Sequence, residues 1–275
     1  MLKGINQWCF PEGTPLDKVF LYAQQAAFDA IELNVNPEHD IGLTLSTTIN
    51  EAEAIARRAE AFGLKLRSLS TSLLWKWPLS SPDTECQEKG RRVIEKQLEL
   101  ASAMGVDTVL VVPGVVTETT SYEQCWARSQ AQLEELLPIA ERHQVKIGIE
   151  NVWNKFLLSP MEMVQYIDAF HSPWLGAYFD VGNVVRYGYP EQWMHSLGKR
   201  IMKVHVKDYR EANGFVPLLA GAVNWQAVTH ALEAIGYTDT VTAELSPYQS
   251  LPEQLAYDTS KQMDAILRCS EKIEG

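Results

Sequence analysis

Residues 146–163, "KIGIENVWNKFLLSPMEM", decide how the chain is to be read. Ile147 and Ile149 sit in a short β-branched run, "KIGIEN" (146–151), that ends in a carboxylate and an amide. A few residues on, Ser159-Pro160-Met161-Glu162 supplies an N-cap, a proline at the first helical position and a capping-box glutamate. This is a strand, a loop and a capped helix. Moving outward in both directions, the same alternation recurs as the hydrophobic period switches from 2 to 3.6. The further strands are "KGINQW" (3–8), "AIELNV" (30–35), "KLRSLS" (65–70), "DTVLVVPG" (107–114), "GAYFDVGN" (176–183), "MKVHVKD" (202–208) and "TVTAEL" (240–245). Leu16, Val19, Phe20, Ala23 and Ala27 form one helical stripe, and "AMGVD" and "AIGYTD" carry the glycine that stops a helix before a strand. Eight strands alternate with eight helices, in units of about 34 residues, and no linker or low-complexity segment divides them. The pattern predicts one (β/α)8 barrel domain over residues 1–275, an α/β TIM barrel. A doubly wound open sheet would carry a glycine-rich phosphate loop after its first strand, and "QWCFPEGTP" is not one.

The net charge of -11, from 35 acidic and 24 basic residues, disfavours nucleic acid and anionic membrane as partners. No apolar run approaches the roughly 18 residues of a membrane span. "MLKGINQWCFPEG" lacks the apolar stretch of a signal peptide. Cys9, Cys86, Cys125 and Cys269 show no metal-type spacing and read as reduced thiols of a cytoplasmic protein.

Barrel active sites lie at the C-terminal ends of the strands. There the fifth strand delivers Glu150, the sixth Asp180, the seventh His205 and the eighth Glu244. Each alone has an ordinary structural explanation: a strand histidine is commonly a hydrogen-bonded core residue, and a strand-end carboxylate commonly caps the next helix. Four on consecutive strands point elsewhere, because three carboxylates on one rim repel one another and resist desolvation. A divalent cation removes that conflict. Three oxygen ligands and one imidazole suit Mn²⁺ first, with Mg²⁺ or Co²⁺ as alternatives and Zn²⁺ left open.

The run Glu150, Asp180, His205, Glu244 resembles the ligand set of the xylose isomerase-like barrel superfamily. "GIENVWNKFLLSP", "YFDVGNVVRYGYPEQW" and "KRIMKVHVKDY" resemble its sugar-phosphate isomerase/epimerase branch, the hexulose-6-phosphate isomerase-like proteins. The resemblance implies a metal-dependent enzyme for a small sugar or sugar phosphate, assembled as a homodimer or tetramer. It also implies that Glu150 and Glu244 act as an acid/base pair on opposite faces of a ketose, through a cis-enediolate. Return of the proton to the other face gives epimerisation, and return to the adjacent carbon gives isomerisation. A lyase acting on an inosose or 3-keto-sugar shares the first step and is the rival reading; a non-catalytic sugar-binding barrel is the third. One departure stands out: Asn183 occupies a position where ketohexose 3-epimerases and apurinic-site endonucleases carry a histidine. Asn183 can bond a sugar hydroxyl but is a weak metal ligand.

Other rim residues are candidates for touching substrate. Glu32 does so in the resemblance, and orienting neighbours across the mouth is an equal reading. Trp8 offers an apolar wall. Lys207 and Arg210 follow His205 and face the substrate with Asp208, Arg210 in the bidentate geometry that suits a substrate oxygen. Lys76, Lys155 and Arg186 are phosphate candidates. "STSLLWKWPLSSPD" (70–83) brings Trp75 and Trp77 to a loop suited to a lid or a subunit contact.

Overall fold

A computed structural model describes residues 1–37 and 41–268; Cys269 and His39 lie outside the described residues. Eight parallel strands form the barrel: β1 Leu2–Asn6, β2 Ala30–Asn36, β3 Lys65–Ser70, β4 Thr108–Val111, β5 Lys146–Glu150, β6 Leu175–Asp180, β7 Ile201–Val206 and β8 Thr240–Ala243. β1 closes the ring by pairing with β2 on one side and β8 on the other, with Gly4 opposite Ala30 and Leu2 opposite Thr240. The (β/α)8 expectation holds. The outer layer is α1 Leu16–Gln25, α2 Ile49–Ala61, α3 Thr84–Ala103, α4 Tyr122–His143, α5 Pro160–Asp168, α6 Pro190–Leu197, α7 Trp225–Ala234 and α8 Gln254–Leu267. Ser159 caps α5 with the full reciprocal box to Glu162, as its spacing predicts. Helix α1 ends two residues before Ala27, which turns the chain at φ 59° and is exposed; Ala26 takes the buried place on the stripe. No described helix is long and apolar enough to cross a membrane.

Alternation along each strand sends one set of side chains to the helices and the other into the barrel. The outward set is apolar: Ile31 and Leu33, Val109 and Val111, Ile147 and Ile149, Val204 and Val206, all buried. The inward set is largely polar. Asn6, Glu32, Asn34, Ser68, Ser70, Tyr178 and His205 are joined by hydrogen bonds across the lumen. Tyr178 fits there because Gly148 faces it; a Cβ at Gly148 would lie 3.0 Å from that of Tyr178.

The N-terminal mouth is closed by ions. Lys203 of β7, only 2% exposed, bonds Asp107 at 2.8 Å and Asp239 at 2.6 Å, and Arg67 of β3 reaches the same pair at 2.7 and 2.9 Å. Although burial favours the neutral acid, Arg67 and Lys203 hold the Asp239 carboxyl below the usual carboxylate range. A depressed carboxylate contributes stability above its unfolded value, near pH 4, and loses it as pH falls toward the folded value. Lys203→Met is therefore expected to cost about 2–3 kcal/mol at pH 7, below a fully buried pair because Asp107 and Arg67 reach solvent. Urea unfolding at pH 7 and pH 3 checks this: the gap between variant and parent should shrink at pH 3. A gap that grows on acidification would contradict the network's role.

Candidate metal centre

Four rim side chains converge because their strands are neighbours in register. Asp180 pairs with His205 across β6 and β7, and His205 with Thr242, two residues before Glu244, across β7 and β8. Glu150 ends β5 opposite Tyr178. One ligand atom from each of Glu150, Asp180, His205 and Glu244 lies within 4.8 Å of the other three. At that spacing each pair of ionised carboxylates repels by roughly 3 kcal/mol for an effective dielectric of about 20.

Several contacts fix the cage from behind. Asp180 does what a strand-end carboxylate ordinarily does: its Oδ1 caps the short helical turn Val181–Val184, accepting from the Asn183 N–H at 2.7 Å. That leaves Oδ2. Asn151 extends the β5–β6 ladder with its side chain, donating to the Asp180 carbonyl and accepting from the Asp180 N–H, both at 2.8 Å. The His205 Nε2 lies 2.7 Å from Glu32, so the tautomer that bonds Glu32 leaves the Nδ1 lone pair toward the cage. Cys9 accepts from the Leu245 N–H at 3.2 Å and steadies the segment that carries Glu244; burial pushes its thiol up to about 12, so it is inert.

The donor set fits a dication. Asp180 Oδ2, His205 Nδ1 and Glu244 Oε2 are buried and have no hydrogen-bond partner. His205 Nδ1 and Glu244 Oε2 approach to 2.8 Å without hydrogen-bond alignment. A lysine ammonium already faces the cage: Lys207 Nζ lies 3.0 Å from Glu244 Oε2 and 3.4 Å from Asp180 Oδ2. The electrostatics split the carboxylates. Burial raises Glu150 and Asp180 above their usual range. Burial acts the same way on Glu244, but Lys207 and His205 overcome it and hold Glu244 low. Burial likewise disfavours the charged imidazole, yet Glu32 and Glu244 raise His205 well above its ordinary value.

The remaining candidates fall into two groups. Lys207 is in the cage wall, and Trp8, on the 3-10 turn Gln7–Cys9, lines a cavity of about 460 Å³ with Gln7, Asn34, Asn36 and Pro247. Glu32 is 1% exposed and both its oxygens are used within the barrel, by Asn6 and His205 on one and Ser68 and Tyr178 on the other. It supports His205 from behind, the second of the two readings its position offered. Asn183 donates its side-chain amide to the Asn151 carbonyl at 3.0 Å, a structural bond. Arg210 is exposed in a small hairpin, Asp208–Arg210 against Gly214–Val216, and its guanidinium is engaged by the Ala220 carbonyl. Asp208 is fully buried: it accepts from the N–H groups of Tyr209, Gly221 and Val223 and from the Trp225 indole, and so ties down the loop before α7. Arg186 is exposed over Trp153, which stacks on Phe215 with ring centres 4.8 Å apart. Lys155 is exposed and Lys76 lies over Trp77; Trp77 packs on the core while Trp75 is 47% exposed. Sequence reasoning overlooked Tyr178 and Ser68, and it placed Asn151 at the end of its strand without a role. Tyr178 and Ser68 were signalled by polar residues at alternate strand positions.

Comparison with known proteins agrees with this architecture. The L-ribulose-5-phosphate 3-epimerase UlaE of Salmonella heidelberg (strain SL476) is 23% identical over 265 residues, covering 96% of this chain and 93% of its own length. Among solved structures, an L-ribulose 3-epimerase superposes with a TM-score of 0.83 at 18% identity, covering 100% of this chain and 98% of its own. A D-psicose 3-epimerase, determined in the presence of D-fructose, gives 0.81 at 15% identity and 97% and 99% coverage. The IOLI protein, described with a bound zinc atom, gives 0.77 at 20% identity and 98% coverage of both chains. A family model described as the xylose isomerase-like TIM barrel matches residues 20–267, and this chain belongs to that family.

Proposed function

We propose that the chain is a divalent-metal-dependent sugar or sugar-phosphate epimerase or isomerase, in which Glu150 and Glu244 exchange a proton with the carbon beside a carbonyl. The observation that carries this reading is the convergence of four ligand groups within 4.8 Å of one another, with three buried donor atoms among them that lack a hydrogen-bond partner. The names of the relatives support the sugar class. A bound dication would act as a Lewis acid on the substrate's carbonyl oxygen and so acidify the neighbouring C–H.

The protein's own contribution is proton handling and shape. Glu150 and Glu244 reach the cage from β5 and from the end of β8, separated around the ring by Asp180 and His205. Burial favours a protonated Glu150, and Lys207 with His205 favours an ionised Glu244. Two carboxylates that reach one substrate from different strands can divide the removal and the return of a proton between them. Asp180 and His205 complete the cage without an acid/base duty. The cavity beside Trp8 has room for a small polyol at the same mouth.

A panel of ketoses, their phosphates and inososes, incubated in deuterated water with Mn²⁺, Co²⁺ or Mg²⁺ and followed by proton NMR, tests the reading. The expected result is loss of the C–H signal next to the carbonyl, together with the appearance of an epimer or an aldose of unchanged composition. A product lighter by one water would establish the lyase instead. No exchange with any member of the panel would remove the enzymatic reading.

A further inference from the structure

Lys207 is placed where no ordinary surface lysine sits. Its ammonium shares Glu244 Oε2 and Asp180 Oδ2, two of the atoms that a cation would also need. The placement is built from both sides. A Cβ at Gly182 would lie 2.5 Å from the Lys207 Cβ and 2.9 Å from its carbonyl oxygen, so glycine at 182 is what lets the segment after β7 approach the turn after β6. On the other side the Phe215 ring covers the ammonium, with 5.2 Å between Nζ and the ring centre. The side chain is 13% exposed. Three carboxylates line the cage, and Lys207 returns one positive charge to them.

We propose that Lys207 is the cage's resident counter-cation: it keeps Asp180 and Glu244 assembled when no metal is bound, and it lowers the affinity for a dication. The inference rests on the metal-cage reading above. Two effects act in the same direction. A dication entering the cage has to draw both shared oxygens away from the ammonium. Whatever position the ammonium then takes, tethered two residues from His205, it repels the dication through a medium of low effective dielectric. Affinity is thereby exchanged for a site that does not collapse or repel itself apart when empty.

The test uses the full-length protein and Mn²⁺ alone, with free ion read by its EPR signal. Lys207→Met is expected to bind Mn²⁺ about tenfold more tightly than the parent or better, and Lys207→Arg, which keeps the charge, to stay within about threefold. In parallel, metal-free Lys207→Met should melt below the metal-free parent, with the difference closing at saturating Mn²⁺. If the methionine variant does not fold, Lys207→Gln carries the same expectation. Equal or weaker Mn²⁺ binding by the neutral variant, with normal binding by the parent, overturns the role of Lys207 and leaves the cage standing. Absence of binding by parent and variant alike overturns the cage and this inference with it.

Discussion

Glutamine at position 150 or at position 244 is expected to lower epimerase or isomerase turnover by about a hundred- to ten-thousand-fold, the span over which a positioned acid or base contributes. The substitution keeps volume and a carbonyl oxygen that still reaches the cage, so the barrel and some metal binding survive; assays at saturating Mn²⁺ separate proton transfer from metal loss. The two variants should also fail differently. If the glutamates serve opposite faces, each variant retains the carboxylate that meets one epimer. It should then wash deuterium into that epimer without inverting it, and the other variant should do so only with the opposite epimer. Proton NMR in deuterated water reads both outcomes in one sample. Retention of more than a tenth of parental turnover by either variant would show that its glutamate holds metal and moves no proton.

The strands were legible because their outward faces are aliphatic and their following helices are capped in recognisable ways. Their ends were less so, for a reason that recurs at the mouth: side chains there imitate or interrupt backbone. Asn6 accepts from the Trp8 N–H at 2.7 Å and bends "QWC" into a 3-10 turn. Asp180 caps its own continuation, which cuts "GAYFDVGN" after the aspartate. Asn151 prolongs pairing with its side chain after β5 has ended. The four cage residues were readable because strand number and strand end suffice to bring them together. Glu32 and Arg210 needed more. The donors to Glu32 come from β1, β3, β6 and β7, a convergence that exists only once the ring is closed. For Arg210 the clue was local and went unread: Asn213-Gly214, with Gly214 at φ 75°, is a turn signal that folds the segment after His205 back on itself and spends the guanidinium on the loop.

Glu32 makes the second large prediction, and it separates a support for the cage from a contact with sugar. Glu32→Gln is expected to weaken Mn²⁺ binding by about ten- to a hundredfold, the usual cost of losing a carboxylate behind a ligating histidine. The physical reason lies in the four donors it accepts. The amide oxygen of glutamine can stay on the side of His205 Nε2 and Asn6, while the new NH2 group meets the hydroxyls of Ser68 and Tyr178, which can rotate to accept. Packing is therefore retained, but the negative charge that makes His205 a stronger donor through Nδ1 is gone. Turnover should recover at high Mn²⁺, with the KM for sugar near that of the parent. The opposite pattern, unchanged Mn²⁺ affinity with a raised KM, would return Glu32 to the substrate-binding role that the resemblance assigned it. Because both of its oxygens are already bonded inside the lumen, a sugar hydroxyl could reach Glu32 only by displacing His205, Asn6, Ser68 or Tyr178, and any of those exchanges would loosen the ligand that holds the metal.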